Sequence, residues 1–408
     1  MQTGITRVFE TMHKPKQFVS FILMSALLLT GNLHAAGDPR ARDLGIPFDG
    51  NPGPMNAITD VTGLEVGHAT LVRGEGQLIV GQGPVRTGVT AIFPLGKARM
   101  EGVAAGHFTF NGDGEMTGSR FVDEFGELHG PILLTNTLSI GAASQAVIEW
   151  NRQNVRLEDE LYSRGLPLVA ETWDGFLNDI YGQHVKQADV FAALDSASRG
   201  PVTEGNVGGG TGMTTFEFSG GIGTASRRVE TPWGEFMLGV LVQSNFGRRS
   251  ELRIAGEPVG RMIADLMPEE GAAKRMGGNS IIVVIATDAP LIPTQLRRLA
   301  RRATLGLGRV GSNGHSGSGD IFLAVSTGNP MTAYWGQDIN QLKMLPDMNP
   351  LFAATVQATE EAIVNAMVAG RTQTGADNNR AYGIPHDRLR QLFNHSGDPG
   401  KSATATAE

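Results

Sequence analysis

The sequence predicts a layered α/β protein, a sandwich of sheets covered by helices. Three observations lead there. Beyond residue 54 the chain alternates short apolar segments with amphipathic ones. Two of the expected strands, 237–242 and 280–286, are nearly continuous apolar runs, the pattern of strands buried on both faces. No linker rich in Ser, Pro or charge divides residues 36–408, so they read as one large domain.

The elements follow in order. Lys14 and Lys16 precede an apolar run over residues 18–29, and Leu33, His34 and Ala35 follow it. This is the order of a secretory signal peptide, with cleavage near Ala35. The run is about 12 residues, short of the roughly 20 that span a bilayer. An exported, periplasmic or secreted mature protein is therefore expected, with an uncleaved signal anchor as the alternative. Met12 serves as a start as well as Met1, since residues 1–11 add nothing that a signal requires. Residues 36–54 read as an extended lead-in. Strands are expected at 64–66, 89–93, 132–135, 214–218, 236–242, 280–287 and 321–326, where β-branched and aromatic residues lie between turn signals. Helices are expected at 139–154, 259–266, 294–305 and 350–369, the second behind Pro258 and the last opening on Pro350. Residues 395–408 have no periodicity and read as a mobile tail.

Composition removes several functions. Lysine and arginine total 34 against 41 acidic residues, a net charge of -7, so nucleic acid is not expected as a partner. The chain has no cysteine, which excludes disulfides, thiolate metal sites and a cysteine nucleophile. Nine histidines stand apart, without HExxH or EF-hand spacing, and no metal is indicated. The glycine run at 205–212 lacks a P-loop lysine and dinucleotide spacing, and reads as a tight turn or substrate-facing backbone. Neither Ser316 nor Ser318 has glycine both two residues before and two after it, so a hydrolase nucleophile elbow is absent there. What remains is Gly277-Gly278-Asn279-Ser280 opening the apolar run at 281–286. A small hydroxyl residue at the head of a buried strand, behind flexible glycines, suits a self-cleaving hydrolase. The hydroxyl attacks the preceding carbonyl, and the freed α-amine then serves as its base. Taken alone, the same four residues before a strand are usually just a turn.

Seven segments widen the view: NAITDV (56–61), TNT (135–137), ETWDG (171–175), EGNVGGGTG (204–212), QSNFG (243–247), NS (279–280) with ATDAP (286–290), and GSGDIF (317–322). Together and in this order they resemble the self-processing aminopeptidases, the family that includes the L-aminopeptidase/D-amidase/esterase and the bacterial β-aminopeptidases. The resemblance runs over nearly the whole mature chain. It implies an αββα sandwich like that of N-terminal nucleophile hydrolases, with different connectivity. It also implies cleavage of Asn279-Ser280, giving chains 36–279 and 280–408. Ser280 matches the nucleophile, and Ser318 and Asp320 match a hydroxyl and a carboxylate that orient it and balance its ammonium; the carboxylate is Asp or Glu among members. Asn245 matches the amide of the oxyanion hole. Trp173 falls where some members place a tyrosine donor, and otherwise walls the substrate pocket. Glu171 and Asn206 are further substrate-binding candidates, and Glu171, Asp174 and Asp320 are the acids available to hold a substrate ammonium. Arg297, Arg298, Arg301 and Arg302 read as a solvated or subunit-facing surface. The function implied is release of amino-terminal residues, β-amino acids or L and D residues, from short peptides, amides or esters. No cofactor is implied, and homo-oligomers, tetramers of processed pairs, are. The alternatives are a self-processing acyltransferase and an exported binding protein with a decayed site.

Overall fold

Side-chain alternation along the central strands dictates the layers. The computed structural model describes residues 38–99, 101–154, 166–271, 280–329 and 342–394. In chain order its strands and helices are β1 (Glu65–Arg73), β2 (Val85–Phe93), β3 (Val103–Gly112), α1 (Ser119–Phe125), β4 (Glu127–Leu128), β5 (Ile132–Asn136), α2 (Ile140–Asn154), β6 (Leu168–Thr172) and α3 (Gln187–Ser196). They continue with β7 (Thr214–Thr215), β8 (Phe218–Ser219), β9 (Gly221–Thr231), β10 (Gly234–Asn245), α4 (Val259–Met262), β11 (Ser280–Thr287), α5 (Pro293–Ala300), α6 (Ala303–Arg309), β12 (Gly319–Ser326), α7 (Asn349–Ala369), β13 (Gln373–Thr374), β14 (Arg380–Ala381) and α8 (His386–Asn394).

Along β11, Ile281, Val283 and Ile285 enter one buried cluster, and Ile282, Val284 and Ala286 enter another. The second cluster also takes Ile132 and Leu134 of β5, Leu168 and Ala170 of β6 and Leu323 of β12. It is therefore the interior between a sheet ordered β1-β2-β5-β6 and a sheet ordered β4-β3-β12-β11-β10-β9. The first cluster joins the outer face of the larger sheet to Leu296 and Leu299 of α5, Leu307 of α6 and Ala362 and Ile363 of α7. A third joins Val89, Ala91 and Leu133 to Val147 and Trp150 of α2 and Val190 and Leu194 of α3. The result is an αββα sandwich. Each fully buried Val, Leu or Ile contributes roughly 1.5–3 kcal/mol through removal from water, so all eight buried residues of β11 commit it to the centre. The parallel pairs β5/β6 and β11/β12 need crossovers, which α2 and the α5–α6 pair supply.

Several expectations change in the fold. The segment read as one strand over 214–218 is a hairpin of β7 and β8, turning at Phe216 and Glu217 with φ of 49° and 61°. The helix expected over 259–266 stops at Met262, and that over 294–305 divides into α5 and α6. β3, β6 and β9 were not foreseen. β3 mixes Ala, Gly and His with Val, Thr and Phe, and β9 carries Gly, Ala, Ser and charged residues; β12 holds the first in the larger sheet and β10 the second, at its edge. The lead-in is not extended throughout: residues Ala41–Leu44 form a 3-10 turn whose Ala41 and Leu44 are buried. Arg40 pairs with Glu204 at 2.6 Å and Arg42 with Glu361 at 2.7 Å, which ties this segment to the sandwich. From Asp38 onward the chain forms one compact unit. The expected signal segment, Asn279 of the expected cleavage site and the expected tail lie outside the described residues.

Candidate active site

Ser280 opens β11 on the side of Ile282 and Val284, so its hydroxyl heads the space between the sheets. Antiparallel pairing sets Asn245, the last residue of β10, directly opposite it. On the other flank the parallel register sets Ile281 beside Asp320 of β12. Two of the other three residues expected at the reaction centre, Asn245 and Asp320, are therefore brought to Ser280 by backbone register alone. Gly319 N–H donates to Ser280 Oγ at 3.1 Å, and Ser318 Oγ donates to Asp320 Oδ1 at 2.6 Å.

Asp320 is buried and well supplied with donors. Besides Ser318 it receives Asn111 Nδ2 at 3.0 Å and the Ile281 backbone N–H. Burial pushes its carboxyl above the ordinary carboxylate value, and these hydrogen bonds pull in the opposite direction. Asn111 comes from β3, where a bulge shifts the register: Asn111 faces Asp320 and Thr109 faces Ile321, leaving Phe110 extra. That insertion turns Asn111 onto the carboxyl. Asn111 was not foreseen, because a lone Asn at the end of an unforeseen strand carries no local signal.

The Asn245 amide has a defined orientation. Thr214 N–H can only donate, so the atom it meets at 2.8 Å is Oδ1; Nδ2 then donates to the Trp173 carbonyl at 2.8 Å. One Nδ2 hydrogen serves that bond, and the amide carries a second. Trp173 thus acts at this point through its carbonyl, while its ring lies 6.2 Å from that of Tyr181, edge to face.

Glu171 reaches the same end of the sandwich. It is buried, accepts the Glu115 N–H at 2.9 Å and is also hydrogen-bonded by Thr137 Oγ1. Burial pushes its carboxyl up, and the charges of Glu115 and Asp113 add to the rise. A close glycine contact brings it here. A Cβ on Gly114 would stand 3.0 Å from Gly319 Cα and 3.2 Å from Glu171 Oε1, and one on Gly319 would stand 2.8 Å from Gly114 Cα. Only two glycines allow segment 113–115 to lie against the Ser318–Gly319 turn. Asp113 and Glu115 thereby come near Glu171 beside the Ser318–Gly319 turn. These two were missed, since nothing local marks loop acids as converging.

Asn206 lies elsewhere in its bonding. Its Nδ2 donates to the Thr211 and Gly220 carbonyls and its Oδ1 accepts the Arg371 N–H at 2.6 Å, so it closes the glycine loop rather than joining the Ser280 cluster. That loop packs its Gly208 and Gly209 backbone against Thr90 and Gln243, with both N–H groups bound by Thr70 and Thr90 hydroxyls. Asp174 is fully buried and offers no face to a substrate ammonium. The arginine helix is a surface: Arg297 pairs with Asp123 at 2.9 Å, and Arg301 and Arg302 lie over Phe108 and Phe352. Among the described residues no three His, Asp or Glu side chains gather to hold a metal ion.

The arrangement has known counterparts. The family model for peptidase family S58 matches residues 56–381. The beta-peptidyl aminopeptidase BapA of Sphingosinicella xenopeptidilytica is 50% identical over 387 residues, covering 91% of this chain and 95% of its own length. The L-aminopeptidase D-Ala-esterase/amidase of Ochrobactrum anthropi, described as a prototype for the serine aminopeptidases and a new variant of the Ntn hydrolase fold, superposes with a TM-score of 0.80. It is 45% identical, and the match covers 88% of this chain and 99% of that one. A Burkholderia sp. beta-aminopeptidase superposes at 0.78 with 44% identity, over 88% of this chain and 99% of its own. With the register of Ser280, Asn245 and Asp320 at the head of an αββα sandwich, these matches make the chain a member of peptidase family S58, a serine aminopeptidase of the Ntn-hydrolase fold.

Proposed function

We propose that the protein is an exported aminopeptidase, periplasmic or secreted, that cleaves itself between Asn279 and Ser280 and then removes amino-terminal residues from short peptides, amides or esters. The observation that carries this reading is the Gly319 N–H bond to Ser280 Oγ at 3.1 Å beside the Ser318–Asp320 pair. It fixes the hydroxyl of a residue that cleavage would make amino-terminal. The Ser280 α-amine, with an ordinary pKa of about 7.7–8.0, takes the hydroxyl proton as Oγ attacks the scissile carbonyl. The proton passes to the leaving amine and an acyl-enzyme forms. Water then attacks the ester, deprotonated by the same amine, and the released acid restores Ser280. The second Nδ2 hydrogen of Asn245 supports the developing oxyanion, a contribution of about 3–4 kcal/mol to the barrier where such donors have been removed. Ser318 and Asp320 orient the hydroxyl and balance the ammonium.

Glu171 is the acid that holds the substrate ammonium. Asp320 is already engaged by Ser318, Asn111 and Ile281, and Asp174 is shut away. Identity near one half with a beta-peptidyl aminopeptidase favours β-amino acids at the substrate amino terminus. The working form is a homo-oligomer of processed pairs, a tetramer. Intact mass and amino-terminal sequencing of the purified protein test the reading. The smaller chain should begin Ser-Ile-Ile-Val-Val, and an active enzyme that remains a single uncut chain refutes it.

A further inference from the structure

Beside the Ser280 cluster the inter-sheet space holds a second polar group, for which the reaction above has no task. Asp174 follows Trp173 and is fully buried. Its Oδ1 accepts Asn178 Nδ2 at 3.0 Å, and its Oδ2 has no hydrogen-bond partner among the described residues. Thr87 and Asn136 also face the carboxyl, and with Asn178 they pull its pKa down while burial, the larger effect, raises it. Asn136 gives Nδ2 to Thr87 Oγ1 at 2.7 Å, and its own Oδ1 is likewise without a donor. Asn136 and Thr172 are register partners at the ends of β5 and β6, so both orphan oxygens belong to one enclosed corner.

No cation enters that corner among the described residues. Arg86 of β2 turns its guanidinium to the carbonyls of Arg73, Gly74 and Val85. Asp179 is bound by the Gly81 and Gly182 N–H groups and by His184. Gln243 of β10 gives its Nε2 to the Thr135 carbonyl and Thr172 Oγ1. Glu171, on the preceding strand, is held by Glu115 and Thr137. An ionised carboxylate buried without a cation is costly, whereas a neutral acid gains an O–H donor for the waiting acceptor on Asn136. The Asp174 carbonyl also accepts the Leu177 and Asn178 N–H groups, so the residue organises the whole 174–178 turn. The same turn begins at Trp173, whose carbonyl receives Asn245 Nδ2.

We propose that Asp174 is a positioning residue: as the neutral acid it locks the turn after β6, and through the Trp173 carbonyl it fixes the Asn245 amide opposite Ser280. This rests on the reading of Asn245 as the oxyanion donor. Burial pushes the Asp174 carboxyl up to about 7. A raised carboxyl pKa means that the locked turn binds a proton the open turn releases, so the lock loses stability as pH rises from the ordinary carboxylate range toward 7 and stands weakened above it. The Ser280 amine works in the other sense, gaining activity as it deprotonates. The pH profile of kcat therefore has a fall toward its alkaline side, developed by about pH 7, that belongs to Asp174.

The test is the pH dependence of kcat and KM for processed wild type, Asp174→Asn, Asp174→Ala and Asn245→Ala, with intrinsic tryptophan fluorescence titrated in parallel. Asp174→Asn keeps the acceptor for Asn178 and cannot ionise, so it should retain kcat within about threefold at neutral pH and lose both the alkaline fall and the fluorescence transition. Asp174→Ala should lower kcat about tenfold or more at every pH with KM nearly unchanged. An alkaline fall that persists in Asp174→Asn overturns the proposal, and that profile decides the matter even if the alanine variant does not fold. Undiminished kcat in Asn245→Ala refutes the oxyanion reading and with it the link from Asp174 to catalysis. If instead Asn245→Ala is impaired and Asp174→Asn behaves as wild type, only the proposal on Asp174 fails.

Discussion

The two ends of the inter-sheet interior are built on the same strands and differ completely in character. At one end Ile132, Leu168, Leu241, Val284 and Ala286 fill the gap with hydrocarbon. Toward the other end each strand changes on the same face: β5 ends in Asn136, β6 in Thr172, β10 in Gln243 and then Asn245, and β11 starts with Ser280. All five of these side chains are buried. Period-2 alternation is preserved throughout, so the fold tolerates the change of chemistry without a change of backbone. Stability comes from one end and reactivity from the other, and the polar end carries three unsatisfied atoms. Asn136 Oδ1, Asp174 Oδ2 and Gln243 Oε1 have no hydrogen-bond partner among the described residues. Such unmet groups concentrate where a protein gives up stability for function.

The division can be broken from either side. The largest expected effect is at Ser280: Ser280→Ala should remain folded and uncut and lose turnover by at least about ten-thousandfold. Mass spectrometry and hydrolysis measured on the same sample check this, and cleavage after Asn279 in the variant would move the nucleophile elsewhere, with Ser318 the next candidate. A smaller loss is expected at Glu171. Glu171→Gln should cut kcat/KM for free-amine substrates roughly a hundredfold, since it removes one partner of a buried ion pair. Matched free and N-acetylated β-alanyl and alanyl anilides read it; equal rates on blocked and free substrates in the wild type would mean that no ammonium is recognised. The smallest effect belongs to the apolar end. Ile282→Val, one methylene removed from a fully buried strand residue, should cost about 1 kcal/mol in denaturant unfolding and leave kcat unchanged. A change in kcat there would show that the two ends are mechanically coupled.

Particular residues show how far the chain could be read in advance. β11 was legible to the residue, because eight consecutive positions buried on both faces leave an unmistakable apolar run. Ser280 was legible as its head, and Ser318, Asp320 and Asn245 through resemblance. β9 was not, since Gly221, Gly223, Ala225 and Ser226 have low strand propensity and owe their conformation to β10 alongside. Asn206 seemed as good a candidate as Glu171 in sequence, and only their hydrogen bonds separate them.

The sequence by itself determined the layered α/β class, the central strands, the absence of cysteine chemistry and the residue at which self-cleavage is proposed. These depend on local patterns, composition and motif order, which a linear chain displays directly. Tertiary structure alone decided that Asn111 meets Asp320 from 209 positions away, that Asp113 and Glu115 gather beside Glu171, and that Asp174 is enclosed rather than offered to substrate. Each of those outcomes turns on strand register, on one β-bulge and on the contact of Gly114 with Gly319. A one-residue shift in any of these pairings would reverse which side chains face inward, and no local propensity records which pairing wins.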